Sequence, residues 1–379
     1  MNLFSERHLL SSSEAKRAAI ADLVIVVPTL DERDNIVPLF ETIDSALGDT
    51  RWEVIFVDDD STDGTIEVLE TICKQDPRVR CLRRINRSGL ASAVVEGIQS
   101  SFAPYIAVMD ADLQHDPKLL LPMFEALRRD EADLVVGSRY IADGSVGRWD
   151  GRRHSMSLLA TRLSRAVLKG YKVADPMSGF FMMKRRAFDR AVRFLSVQGY
   201  KILFDLIASS PTQLRLKEIP YTFGVRQHGE SKLDSLVVLD YASLLLDKVV
   251  GRWIPVRFLL FSLTGASGVV LHMLVLGGAL WAGASFVVAQ SAGTISALVS
   301  NFFINNALTY RDRRLKGFVP LLKGLMSFSL ICSVGVVANV GIANALFVQD
   351  FTWWVSGFLG IVVGAVWNYA VSSYFTWRQ

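Results

Sequence analysis

The chain has 379 residues, of which 51% are hydrophobic and 21% charged, with a formal net charge of +4. Such a length allows two or three domains. Residues 256–379 hold seven Lys/Arg against two Asp/Glu, while the remainder carries 34 basic and 35 acidic groups; the front part is no polyanion-binding surface, which argues against nucleic acid as a partner. Cys73, Cys81 and Cys332 have no CxxC spacing, so a disulfide framework or zinc site is not expected and a reducing cytosol fits. Charges at Glu6, Arg7, Glu14, Lys16 and Arg17 interrupt residues 1–21, which read as a short lead-in rather than a signal peptide.

The run at 23–28 is continuously apolar and β-branched, the mark of a strand buried on both faces. A helix is predicted over 35–47, with Ile36, Leu39, Phe40, Ile43 and Leu47 on one face. Strands at 53–57, 79–82, 105–109 and 132–137 alternate with helices at 65–72, 89–99 and 118–128. That alternation predicts an α/β, doubly wound sheet with its ligand site at the carboxyl ends of the strands. After Ser138 the pattern changes. Residues 154–169 set Met156, Leu159, Leu163 and Val167 against Arg152, Arg153, Arg162, Arg165 and Lys169, which fits a helix on a membrane surface or an ordinary core-facing helix. A second amphipathic stretch over 233–252 reads as an interfacial helix.

Four apolar spans follow near 256–281, 286–309, 319–347 and 352–376, each long enough to cross a bilayer. Arg311, Arg313, Arg314, Lys316 and Lys323 flank the middle connection, and Lys248, Arg252 and Arg257 precede the first span; the other two connections carry no Lys or Arg. The positive-inside rule then puts both termini and the front domain in the cytoplasm. The spans also repeat with a period of 67 residues: Phe261-Ser262-Leu263 recurs as Phe328-Ser329-Leu330, Gly268 as Gly335, Asn301 as Asn368 and Tyr310 as Trp377. A constant offset points to duplicated helical hairpins in parallel topology.

Chemistry gathers where strands end. Pro28-Thr29-Leu30-Asp31-Glu32 closes the first, and Val57-Asp58-Asp59-Asp60-Ser61-Thr62-Asp63-Gly64-Thr65 the second. Acids there can accept from nucleobase amines and ribose hydroxyls, although Asp63 reads as a helix cap. Asp110-Ala111-Asp112-Leu113-Gln114-His115 follows the fourth strand. Acids two apart on a strand share a side, and with Gln114 they offer hard oxygens to Mg2+ or Mn2+ while a diphosphate supplies the rest. Arg139, Arg226 and Lys232, with Ser231, are candidate phosphate contacts. His115 and His228 read as packing or phosphate-contacting groups rather than bases. Neither GxGxxG nor GxxxxGK[ST] is present, so dinucleotide and P-loop readings lack their glycines. A metal-diphosphate site joined to a bilayer implies an enzyme that attaches a nucleotide-activated group to a lipid.

The series is completed by Gly137-Ser138-Arg139-Tyr140, Asp175-Pro176-Met177-Ser178-Gly179-Phe180 and Gly229-Glu230-Ser231-Lys232. Together the front motifs resemble family-2 glycosyltransferases of GT-A fold, specifically the polyprenyl-phosphate (dolichol-phosphate) mannosyltransferase group. The spans, with Asn301-Phe302-Phe303-Ile304-Asn305 and Thr309-Tyr310, resemble GtrA-like domains. The resemblance implies a glycosyltransferase domain over 22–232 and a GtrA-like domain over 253–379. It implies nucleotide contacts from Pro28, Leu30, Glu32, Val57 and Asp59, donor contacts from Asp110 and Ala111, and metal ligation by Asp112 and Gln114. Arg139, Lys201, Arg226 and Lys232 would meet donor or acceptor phosphates, with Arg152, Arg153 and Ser231 on the acceptor side. The implied reaction is inverting transfer of a hexose, mannose from GDP-mannose first, to dolichyl or polyprenyl phosphate. UDP-glucose is the alternative donor. A processive polysaccharide synthase lacks its Gln-x-x-Arg-Trp segment here, and a lipid-sugar flippase is disfavoured because the spans hold a single deep ionisable side chain, His272.

Overall fold

The computed structural model describes residues 21–378 apart from 86, 88, 146–159, 169, 197–198, 225–235 and 252. The chain divides into two compact units, 1–249 and 250–379.

The first unit is built on a seven-stranded sheet of order β3-β2-β1-β4-β6-β5-β7. Strands β1 (Leu23–Thr29), β2 (Trp52–Asp58), β3 (Val79–Arg83) and β4 (Tyr105–Val108) are mutually parallel. Side chains alternate between its two faces. Leu23, Ile25 and Val27 join a core with α1 (Arg33–Leu47), α2 (Thr65–Gln75) and α4 (Leu120–Arg128). Val24 and Val26 join the opposite core with α3 (Leu90–Gln99), α5 (Arg185–Ala191) and α6 (Ile202–Ser209). A strand covered on both sides needs apolar residues at every position, which is why these runs lack alternation. Helix α3 packs so closely that a Cβ on Gly97 would stand 2.5 Å from Val26 Cγ1 and 2.8 Å from Val57 Cγ2.

Beyond β5 (Leu134–Ser138) the sheet is not simply doubly wound. Strand β6 (Phe181–Lys184) inserts antiparallel between β4 and β5, and β7 (Leu216–Pro220) lies parallel to β5. Neither is announced by its sequence: Phe-Met-Met-Lys is short and has no β-branched residue, and Leu-Lys-Glu-Ile-Pro is half polar.

The stretch expected to lie on a membrane is partly core-facing. Residues 160–167 are helical, and Thr161, Ser164 and Leu168 are the buried side chains while Leu163 is 44% exposed. Ser164 turns inward because it has a partner: its Oγ lies 2.7 Å from Tyr241 Oη. Tyr241 belongs to α7 (Leu236–Val250), whose Leu244 joins the same core. Lys248 seats its ammonium on Asp205, itself 1% exposed, and donates to Ser209 Oγ at 2.8 Å. Leu246 and Val249 of α7 remain exposed, so this helix has one face on the core and an apolar face outside.

In the second unit, α8 (Val256–Trp281), α9 (Phe286–Ile304), α10 (Phe318–Val348) and α11 (Trp353–Phe375) form two hairpins. They are long and apolar enough to cross a membrane, and Val269, Val337 and Ile361 face outward. Positions 67 residues apart meet each other. Tyr310 stacks on Trp377 at 4.1 Å and 6°, and Phe261 meets Phe328 edge-on. Tyr310 Oη lies 2.6 Å from Ser373 Oγ, and Trp377 Nε1 donates to Asn306 Oδ1 at 3.1 Å. Asn306 and Ser373 are also repeat equivalents, so the two bonds form a reciprocal pair, as a pseudo-two-fold relation between parallel repeats requires. Within each hairpin an asparagine amide covers a glycine. A Cβ on Gly268 would meet Asn301 Oδ1 at 2.4 Å, and one on Gly335 would meet Asn368 Oδ1 at 2.1 Å; small residues let the paired helices approach.

Candidate active site

Strand order reverses at β1, which has β2 on one side and β4 on the other, so the ligand crevice of such a sheet lies at the carboxyl ends of β1 and β4. Side chains lace the loop after β1 to the loop after β2. Asp31 N donates to Ser61 Oγ at 2.8 Å, Thr62 N to Asp31 Oδ1 at 3.0 Å, Glu32 N to Thr65 Oγ1 at 3.0 Å and Arg33 N to Asp63 Oδ2 at 3.1 Å. Asp63 also accepts from Thr65 N at 3.0 Å, but the N-cap of α2 is Gly64, so Asp63 closes the turn ahead of the helix rather than capping it. Glu32 accepts from Asn35 Nδ2 at 2.6 Å and so closes the first turn of α1. Pro28 lies within β1 in register with Val57 of β2, Val57 is fully buried, and Leu30 is 37% exposed.

Asp58 at the end of β2 and the two acids after it are all engaged within the protein. Asp58 accepts from Ser61 N at 2.9 Å, and Asp60 pairs with Arg83 at 2.7 Å. Asp59 pairs with Arg84 at 2.6 Å, the guanidinium being 3% exposed, and accepts from Gly89 N at 2.7 Å. Burial raises the Asp59 carboxyl, while the Gly89 amide and Arg84 oppose that rise. Sequence reasoning missed Arg84 as the partner of Asp59; the basic pair Arg83-Arg84 at the end of β3, with an acid-rich loop at the end of β2, was the available signal.

The loop after β4 is built differently. The strand stops at Val108, so Asp110 and Asp112 stand in a bend rather than on a strand, and Leu113 takes φ +59°, a left-handed conformation rare for a bulky residue. Asp112 is 5% exposed and accepts from Gln114 N at 3.2 Å. Gln114 is tied to Gly224 twice: Gln114 Nε2 donates to Gly224 O at 2.9 Å, and Gly224 N donates to Gln114 O at 2.8 Å. A Cβ at Gly224 would stand 3.2 Å from Gln114 Cα, so only glycine fits this approach without displacing a neighbour. Asp110 N donates to His115 Nδ1 at 3.0 Å. Burial raises the Asp110 carboxyl; His115, Lys201 and Arg139 pull it down, and Asp112 pushes it up. Those five groups therefore share one electrostatic neighbourhood. Burial likewise lowers the His115 imidazole, against the attraction of Asp110 and Asp112. Ala111 is buried between the two acids.

Arg139, at the end of β5, grips Asp175 through Nε at 2.7 Å and Nη2 at 2.9 Å, and its own backbone N donates to the same carboxylate at 3.1 Å. The guanidinium stands over the rings of Phe223 and Tyr140. Asp175 N is held in turn by Glu218 Oε1 at 3.1 Å. Two motifs that are 36 residues apart in sequence thus become one buried ion pair. Lys201 donates to Met177 O at 3.3 Å, within the Asp175–Phe180 stretch. Arg152, Arg153, Arg226, His228, Ser231 and Lys232 lie outside the described residues.

Among the described residues, no three His, Cys, Asp or Glu side chains gather as a closed metal cage. The loop nevertheless fits a divalent cation of the open kind: Asp112, Asp110 and the Gln114 amide present hard oxygens, and such ions take most remaining ligands from a substrate diphosphate and water.

Comparison with known proteins agrees with this architecture. Residues 24–191 match the family model "Glycosyl transferase family 2", and residues 260–377 match "GtrA/DPMS, transmembrane domain". The dolichol-phosphate mannosyltransferase of Pyrococcus furiosus is 32% identical over 358 residues, covering 93% of this chain and 98% of that protein. The Saccharomyces cerevisiae protein of the same name is 34% identical over 246 residues, covering 62% of this chain and 90% of its own. A solved glucosyl-3-phosphoglycerate synthase from Mycobacterium tuberculosis overlaps 62% of this chain and 82% of its own at 21% identity and TM-score 0.45. With a relative matched almost end to end and both parts recognised separately, the chain belongs to the dolichol-phosphate mannosyltransferase family and is a glycosyltransferase with a GT-A-like catalytic domain followed by a helical membrane domain.

Proposed function

We propose that the protein makes a lipid-linked monosaccharide by inverting transfer of mannose from GDP-mannose to dolichyl or polyprenyl phosphate, with its catalytic domain and both termini on the cytoplasmic side. The observation that carries this reading is the acid-bearing 110–114 loop at the carboxyl end of β4, beside the β1–β4 crevice and bonded to Gly224, in a chain whose relative in Pyrococcus furiosus is named a dolichol-phosphate mannosyltransferase.

In this reading Pro28, Leu30, Glu32, Val57 and Asp59 line the nucleotide side. Asp110 and Ala111 approach the donor, and Asp112 and Gln114 hold Mg2+ or Mn2+. A bound divalent cation supplies positive charge beside the diphosphate of the departing nucleotide. Arg139, Lys201, Arg226 and Lys232 contribute further positive charge to phosphates. Arg152, Arg153 and Ser231 receive the acceptor phosphate, which is anionic at neutral pH and needs no strong base. The protein's work is then mainly to hold that oxygen in line with the anomeric carbon. The charge bias of the connecting loops supports the cytoplasmic orientation.

The test is incubation of the purified protein with polyprenyl phosphate and either labelled GDP-mannose or labelled UDP-glucose. Label passing to the lipid from GDP-mannose in preference to UDP-glucose is the expected result. Preference for UDP-glucose overturns the donor, and label that never reaches lipid from any donor overturns the reaction.

A further inference from the structure

The His115 ring holds the Asp110 main chain and stands beside its carboxylate. Its Nδ1 accepts the Asp110 backbone N–H at 3.0 Å, so a neutral ring carries its hydrogen on Nε2. That Nε2 lies 3.7 Å from Asp110 Oδ2. The ring itself has no freedom to turn. It stacks on Phe180 at 5.1 Å and 14°, with Tyr221 and Phe223 meeting it edge-on at 6.0 Å and 5.8 Å. Phe223 carries the Arg139 guanidinium, so one aromatic box backs both the acidic loop and the Arg139–Asp175 pair. Gly179 completes the enclosure: a Cβ there would stand 3.0 Å from Asp110 Oδ2 and 3.3 Å from His115 Cε1.

Exposure separates the two groups. The His115 side chain is 2% exposed and that of Asp110 is 34% exposed, so the carboxylate faces the crevice and the imidazole stands behind it. A group in that place cannot touch substrate, but it determines where the carboxylate points. The left-handed turn at Leu113 brings residue 115 back beside residue 110, and the Nδ1 bond closes the loop. Without it, the Asp110 N–H loses its acceptor and the bend loses its clasp.

We propose that His115 is a positioning residue that fixes the Asp110 main chain and carboxylate, and through them the shape of the 110–114 loop toward a cation–nucleotide ligand. This deepens the reading of Asp112 and Gln114 as the cation site and rests on it. The acceptor at Nδ1 carries the role, and the stacked ring by itself does not.

The test compares His115→Phe, which keeps the stacking and loses both nitrogens, with His115→Asn, whose amide oxygen takes the place of Nδ1. Binding of Mn2+ in the presence of GDP is read from the electron paramagnetic resonance of the ion, alongside kcat and KM for transfer. His115→Phe is expected to weaken Mn2+–GDP binding about tenfold, the scale of one buried hydrogen bond, and His115→Asn to recover most of it. Wild-type binding by His115→Phe overturns the proposal, as does a folded His115→Asn no better than His115→Phe. If the Phe variant does not fold, His115→Gln serves instead, because its longer amide misses the Nδ1 position; Gln equal to Asn overturns the proposal, and Asn clearly tighter than Gln supports it. Asp112→Ala separates the two layers. Wild-type Mn2+–GDP binding by that variant sinks the cation reading itself, whereas loss there with none in His115→Phe sinks the positioning role alone.

Discussion

Two acid-bearing loops stand side by side at the carboxyl end of the sheet, and their physical states are opposite. After β2, Asp59 and Asp60 are matched by Arg84 and Arg83, and Asp58 by a serine. After β4, no arginine or lysine lies within salt-bridge distance of the Asp110 carboxylate among the described residues, and the His115 imidazole 3.7 Å away is held toward its neutral form by burial. Carboxylates already paired are spent on structure, whereas one kept partly exposed without a cationic partner suits a charge that arrives with the substrate. Similar letters at two strand ends therefore do different work.

The comparison breaks first on activity. Asp112→Ala should lower transfer to polyprenyl phosphate by more than about a hundredfold, the scale for removing a preorganised electrostatic group, and EDTA should do the same to the unaltered protein. Transfer that survives both treatments would remove the cation from the β4 loop. On stability the order reverses. Asp59→Ala takes from the buried Arg84 guanidinium its closer carboxylate and leaves it Glu96 at 3.4 Å, which costs about 1–3 kcal/mol, and the melting temperature in detergent should drop clearly further than in Asp112→Ala. Equal melting of the two variants would show that the Asp59–Arg84 pair carries no more of the stability than the acid of the β4 loop.

A milder change sharpens the same contrast. Gly179→Ala puts a methyl group 3.0 Å from Asp110 Oδ2, and a carboxylate shifted by a few tenths of an ångström should lower kcat by about tenfold with little loss of stability, since positioning errors weigh on rate before they weigh on folding. An unchanged kcat would show that Asp110 need not point where it does. The smallest effect belongs to Asp60→Asn, which removes the charge and still suits the left-handed φ of +63° at this position. Its pair with Arg83 is 38% and 49% exposed, and such surface pairs contribute about 0–1 kcal/mol. Transfer and melting should both stay near wild type; a large loss in either would give Asp60 a role that the geometry does not.

Much of the scaffold was legible because burial writes itself into composition. Strands β1, β2, β4 and β5 are covered on both faces, so their runs are apolar throughout, and the spans facing lipid are longer still. The offset of 67 residues was visible, but that Tyr310 stacks on Trp377 was not, since a repeat period says nothing about which copies touch. Strands β6 and β7 escaped notice because one is short and the other half polar. The helix at 160–167 turned Ser164 inward, against its apolar stripe, because a tyrosine 77 residues away offered that hydroxyl a partner.

The amino-acid order by itself determined which residue types stand at the strand ends, that four helices are greasy enough for a bilayer, and that acids precede Gln114 in the fourth loop. Only the tertiary structure decided which acids are neutralised, because ion pairs such as Asp59–Arg84 and Arg139–Asp175 join segments 25 and 36 residues apart. Local pattern reports burial and periodicity, which act over a few residues. Charge pairing acts through space, and space is arranged by the fold.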